Sequence, residues 1–242
     1  MLPFWIALQF LSSLPVTLPG MPTPQENGRS LLFYPVVGLL FGVLLWGVSG
    51  LLSDTPSYLH AAMLLTLWVG LSGGLHLDGL ADSADAWLGG FGDRERTLTI
   101  MKDPRSGPIA VVTLVLVLLL KFCALLALVE AGQGALLILA PVAGRGAMLA
   151  LFLNTPYVRP GGLGQALKDH LPRQAARSVL GVSAIGCLLL GGWLALGVAV
   201  LVFFALRRSM MRRLGGTTGD TAGALLELLE LAVLLTLALQ LA

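Results

Sequence analysis

Residues 31–52 read LLFYPVVGLLFGVLLWGVSGLL, a run without one charged side chain. That length matches the roughly 20 residues a helix needs to cross bilayer hydrocarbon. Lipid offers no water to the backbone, so a crossing segment of this kind closes its N–H and C=O groups on itself as a helix. Runs of the same character occupy 59–77, 108–130, 134–153, 178–206 and 222–241. Of the 242 residues, 56% are hydrophobic and only 12% charged, and the mean hydropathy is +0.87. These values exclude an ordinary soluble domain. The expected fold is all-α, a polytopic transmembrane helical bundle forming a single integral membrane domain over residues 1–242, and no nucleic-acid partner is expected. Met1 to Leu18 is apolar but holds Pro3 and Pro15, lacks a basic start and shows no cleavage site. It reads as a retained interfacial or re-entrant helix rather than a signal peptide.

Charge distribution sets the topology. Twelve of the fifteen Lys and Arg residues fall in three segments, 94–105, 159–177 and 207–213, while the connections around Asp54 and Gly132 hold none. The positive-inside rule puts the three basic segments together on the cytoplasmic side. Leaving the cytoplasm near residue 178 and returning by 207 then needs two crossings within 178–206. A tight turn at Gly191-Gly192, with the second helix running on to Arg213, meets that need and gives seven spans; a single long span gives six. Cys123 and Cys187 both lie in apolar runs, where packing is their default role.

The chemistry concentrates in Gly74-Leu75-His76-Leu77-Asp78-Gly79-Leu80-Ala81-Asp82-Ser83-Ala84-Asp85. Asp78, Asp82 and Asp85 stand at i, i+4 and i+7, one face of a helix. Like charges there repel, and each costs a few kcal/mol at the edge of hydrocarbon, so a compensating cation is implied. Mg2+ is the simplest choice, because it takes hard oxygen ligands and reaches phosphates through few carboxylates. The plain alternative is a helix end whose acids are solvated.

Three further features point to phosphate. Lys102-Asp103-Pro104-Arg105 joins two cations to one carboxylate, suited to phosphate oxygens and a metal shell. Gly215-Gly216-Thr217-Thr218-Gly219-Asp220-Thr221-Ala222-Gly223 precedes the last apolar run. Glycines and hydroxyls ahead of a helix can cradle an anion, and Asp220 can cap the helix or bind metal. Glu227 lies on the face of Asp220, with Glu230 beyond it. Arg145 is the lone charge of 134–153 and reads as a pocket residue; Lys121, the lone cation of 108–130, can snorkel.

These segments resemble the signatures of the adenosylcobinamide-GDP ribazoletransferases, the cobalamin synthase family. The likeness lies in Gly74 to Asp85, in Arg96-x3-Ile100-Met-Lys-Asp103-Pro-Arg105, and in Gly215 to Gly223 with Glu227; motif order and hydropathy agree over nearly the whole length. A more distant similarity is to CDP-alcohol phosphatidyltransferases, carried by Gly74-x3-Asp78-x3-Asp82 alone. The resemblance implies Mg2+-dependent attack of α-ribazole, or its 5′-phosphate, on adenosylcobinamide-GDP with release of GMP. On that reading Asp78, Asp82 and Asp103 bind metal, and Asp220 with Glu227 completes the pocket or takes a second ion. Asp85 is the first choice of base and His76 its competitor, with Asp82 beside them in the catalytic group. Lys102, Arg105, Arg145 and the Thr217, Thr218, Gly219 segment hold substrate phosphates. The implied setting is the bacterial cytoplasmic (inner) membrane, with the site facing the cytoplasm, lipid around the bundle, and a homodimer through small-residue faces. The rival reading from another class is an ion- or proton-coupled transporter, in which Asp78, Asp82, Glu227 and Arg145 form a relay.

Overall fold

The computed structural model describes residues 1–241. Its helices are α1 (Leu2–Leu11), α2 (Pro24–Ser30), α3 (Tyr34–Leu51), α4 (Ser57–Ser72), α5 (Leu75–Gly89), α6 (Arg94–Ile100), α7 (Pro108–Glu130), α8 (Leu139–Asn154), α9 (Leu163–Asp169), α10 (Arg173–Leu214) and α11 (Gly219–Leu239). Among the described residues there is no strand, only an isolated parallel bridge between Tyr157 and Thr217.

Local rules start and stop these elements. Proline opens α2, α3 and α7, where its missing N–H costs nothing. Thr23 and Glu26 cap α2 reciprocally, and Thr218 with Thr221 does the same for α11. Gly215, at φ 73°, ends α10 in the left-handed conformation that a side chain resists.

Helices α8 and α11 form the centre of the bundle, most of their length buried. The lipid-facing side of α7 exposes Val111, Val112, Val115, Leu116 and Leu119, so it reads as apolar all round while burying only one stripe. Close helix contact rests on small residues: a Cβ at Gly38 would fall 2.4 Å from the Pro141 carbonyl oxygen, and one at Gly42 2.5 Å from Ile138 Cα. These two glycines, four apart on α3, are therefore committed within the chain to α8 and the residue that leads into it.

The apolar stretch 59–77 is one span in the sequence and two helices in the structure. Gly73 and Gly74, at φ 61° and 71°, break it, and α4 and α5 meet at 87°. The open carbonyls at the end of α4 are answered from elsewhere: Ser13 donates its N–H to Leu71 O at 2.8 Å and its hydroxyl to Gly70 O at 2.6 Å. The break turns the acidic segment onto its own short helix. The N-terminal helix covers only Leu2–Leu11, too short to cross, and buries Ile6, Ala7, Leu8 and Leu11 against the bundle.

Residues 173–214 form a hairpin about Gly192, whose φ 75° and ψ 175° are non-helical. Arg173 Nη2 donates to Leu153 O at 3.2 Å and Arg207 Nη2 to Asn154 O at 2.7 Å. Both arms thus return to one end of α8. Residues 173–191 measure about 28 Å as a helix, close to the hydrocarbon thickness of about 30 Å. Five helices pass the length and hydropathy test and the bent pair makes six; the two arms of α10 bring the passes to seven. The three basic segments meet at that same end: Arg94 Nε bonds Leu214 O at 2.8 Å and Arg159 Nη2 bonds Met101 O at 3.4 Å.

Candidate functional site

At the basic end four segments converge: α5, the loop 101–107, the loop 155–162 and the start of α11. Helix α5 packs directly on α11, since a Cβ at Gly79 would lie 2.9 Å from the Asp220 carbonyl oxygen. The contact brings the α5 acids to Asp220. Asp78 is exposed, Asp82 and Asp220 half-buried. Asp82 feels the charges of Asp78, Asp220 and Asp85, and the opposing charge of Arg159.

Asp85 faces a different task. Its Oδ2 accepts from the Gly107 N–H and its Oδ1 accepts from the Ala110 N–H at 3.0 Å. Both oxygens thereby satisfy open amides at the start of α7, and the carboxylate pins the end of the 101–107 loop to α5. The loop's Lys102 and Arg105 are exposed beside the acidic helix. Arg105 bonds Asp103 through Nε at 3.0 Å and Nη2 at 2.8 Å. Hydrogen bonds from the Arg105 side chain and backbone hold the Asp103 carboxyl down at about 2.

The glycine and threonine segment divides in two. Thr217 and Thr218 are buried; Thr218 Oγ1 accepts the Thr221 N–H at 3.2 Å, and Thr217 Oγ1 lies 2.9 Å from Thr221 Oγ1. Their hydroxyls serve the cap, which leaves Gly219 and Asp220 as the part presented outward.

Arg145 and Glu227 lie elsewhere. Lys121 Nζ donates to Glu227 Oε2 at 2.6 Å and Glu230 Oε2 at 2.9 Å, and Arg145 Nη1 donates to Glu230 Oε1 at 2.9 Å. Trp68 and Phe41 cover the two cations, at 5.0 Å and 4.2 Å from the ring centroids. All four charged side chains are buried. Gly144 is small because a Cβ there would meet Glu230 Cγ at 2.7 Å. The quartet, two cations and two anions, ties α7, α8 and α11 together inside the bundle. His76 is buried near the same cations, with both ring nitrogens unpartnered, rather than at the acidic surface. The structure therefore gathers Asp78, Asp82, Asp220, Lys102, Arg105 and Gly219 at one end and separates Arg145, Glu227 and His76 from them.

Sequence reading missed Glu230 as a partner for Lys121 and Arg145, although two lone cations and two lone acids in apolar runs are a balanced set. It also passed over Arg159, whose Nη2 stands 2.7 Å from Asp220 Oδ2. No local spacing announces that residue. The loop that carries it is fixed by long-range bonds, Val158 N–H to Thr217 O at 3.0 Å and Thr217 N–H to Pro156 O at 2.8 Å.

Comparison with known proteins settles the kinship. A family model described as Cobalamin-5-phosphate synthase matches residues 3–238. The chain belongs to that family. It is 76% identical over 242 residues to the adenosylcobinamide-GDP ribazoletransferase of Pseudomonas fluorescens, covering 99% of this chain and 100% of that one. To the protein of the same name from Pseudomonas putida it is 78% identical over 239 residues, 99% of each chain. The like-named protein of Pseudomonas savastanoi is 75% identical over 244 residues, with 99% of this chain and 100% of that one covered. No solved structure matches the chain.

Proposed function

We propose that this membrane enzyme of the cobalamin synthase family transfers the corrinoid phosphoryl group of adenosylcobinamide-GDP to α-ribazole or its 5′-phosphate, releasing GMP and forming adenosylcobalamin or its 5′-phosphate. The observation that carries this reading is the full-length family match to a chain whose α5 acids and Lys102–Arg105 loop meet at one end. That end faces the cytoplasm of a bacterial inner membrane on the positive-inside argument.

The donor set suits Mg2+. Asp78, Asp82 and Asp220 offer hard carboxylate oxygens, and Mg2+ is held through one or two such groups plus substrate phosphates. Among the described residues no three His, Cys, Asp or Glu side chains are grouped so as to hold a metal ion, so substrate phosphates would have to complete the shell. Bound Mg2+ would neutralise charge on the diphosphate as its bond to GMP breaks. Lys102 and Arg105 reach phosphate oxygens from the loop, and the exposed Gly219 N–H opens α11 toward an anion. Asp82 takes the proton of the attacking ribazole hydroxyl, since Asp85 is committed to the amides of α7 and His76 is enclosed. The apolar edge of the corrin lies among helix ends, with lipid around α3, α7 and α10.

A transporter would need polar groups through the thickness of the bundle. Among the described residues, the buried charged side chains Lys121, Arg145, Glu227 and Glu230 pair with one another. The discriminating experiment is GMP release by the purified protein from adenosylcobinamide-GDP and α-ribazole, with and without Mg2+; transport without turnover in lipid vesicles would favour the rival.

A further inference from the structure

We propose that Arg159 binds a phosphate of the diphosphate-bearing substrate, and that Asp220 holds its guanidinium at the acidic face until that phosphate arrives. The inference rests on the transferase reading and adds a binding residue to it.

A guanidinium carries five N–H donors in a planar fork that fits phosphate through two parallel bonds. In Arg159 the contacts run through Nη2, which lies 2.7 Å from Asp220 Oδ2 and 3.4 Å from Met101 O. Its Nε is buried and has no hydrogen-bond partner. An unpartnered buried donor is disfavoured by about 1–3 kcal/mol, so the side chain is built for an acceptor the protein does not supply. The Asp220 pair is off-geometry as well, with Oδ2 buried and lacking a properly aligned hydrogen bond despite the short separation. Arginine and aspartate are thus close in charge and loose in hydrogen bonding, an arrangement that a better acceptor can displace.

Placement selects phosphate as that acceptor. Arg159 is among the charges felt by Asp82, the central acid of α5, and its loop is bonded to the segment that opens α11. The Met101 carbonyl it touches begins the loop that carries Lys102 and Arg105. An anion drawn to that loop therefore meets Arg159 as a third cation beside Lys102 and Arg105. A phosphate bridging Nε and an Nη would satisfy the orphaned donor and free the Asp220 carboxylate.

The test is equilibrium dialysis of GDP against the purified full chain in detergent, in parallel with steady-state turnover. Arg159→Ala should weaken GDP binding roughly 10- to 100-fold, the worth of a lost charge-assisted fork, and raise KM for adenosylcobinamide-GDP more than it lowers kcat. Dialysed in chelator, so that its place among the Mg2+ carboxylates does not enter, Asp220→Asn should bind GDP as tightly as wild type does under the same conditions or more tightly, because it releases Arg159. Arg159→Lys should restore part of the affinity. A thermal unfolding midpoint measured on each variant separates loss of binding from loss of fold. If Arg159→Ala folds, binds GDP as wild type does and keeps its KM, the pair is structural and the inference fails, while wild-type GMP release still upholds the transferase reading. Absence of both GDP binding and turnover in folded wild type overturns the two together.

Discussion

Arg145 Nη1 donates to Glu230 Oε1 at 2.9 Å, with neither side chain accessible to solvent. We expect Arg145, a lone cation in its span, to stabilise the bundle through this pair rather than to touch substrate. Removing one partner from a buried ion pair leaves an uncompensated charge and costs about 3–5 kcal/mol. Glu230→Gln and Arg145→Met should each lower the unfolding midpoint in detergent, and any folded fraction should keep a wild-type KM. A stable Arg145→Met protein with a raised KM would return Arg145 to the substrate pocket.

Asp85 makes a second, separable prediction. Because its oxygens receive the Gly107 and Ala110 amides, Asp85→Asn should lower stability by about 0.5–2 kcal/mol, the range of a lost helix cap. It should leave the shape of the pH–rate profile unchanged. Loss of a general base would cost about 10²- to 10⁴-fold in rate, and that loss is expected for Asp82→Asn. The opposite ranking would make Asp85 the base.

The α5 and α11 contact admits no side chain at Gly79, where a Cβ would also fall 3.0 Å from Asp220 Cα. Gly79→Val should separate the acids from Asp220 and cut turnover while costing about 1–3 kcal/mol through overpacking. Gly223→Ala, whose Cβ would stand 3.3 Å from His76 Cα, should do so more mildly. Rates and unfolding midpoints of both variants check the order.

Gly192 adopts φ 75° and ψ 175°, a region that belongs to glycine. Gly192→Ala should cost about 1–3 kcal/mol, read as a lowered midpoint. With Cys123 and Cys187 replaced by Ser, an impermeant thiol reagent should label Arg105→Cys and Arg208→Cys from the cytoplasmic face and Asp54→Cys from the opposite one. Labelling of Arg105→Cys and Arg208→Cys from opposite faces would rule out the hairpin.

Much of the fold could be read from residues alone. Uncharged runs such as 31–52 define passes because hydrocarbon tolerates little else, and the basic segments fixed where the hairpin had to turn. The break at Gly73-Gly74 escaped, since hydropathy measures burial in lipid and is blind to backbone direction; two consecutive glycines at positive φ were its mark. The α5 acids were visible as a helical face, whereas their different partners were not. Asp85 is set apart by amides at the start of a helix 22 residues further on, and Arg159 reaches Asp220 through a loop pairing that no local pattern encodes. Lone charges in apolar runs signalled function to the eye, yet Lys121, Arg145, Glu227 and Glu230 neutralise one another.

The most direct test is release of GMP from adenosylcobinamide-GDP and α-ribazole by the purified protein, with Mg2+ or with chelator, comparing wild type with Asp82→Asn. The account predicts Mg2+-dependent release by wild type and loss of about 10²-fold or more in the folded variant. Undiminished release by Asp82→Asn, or by wild type in chelator, would contradict it.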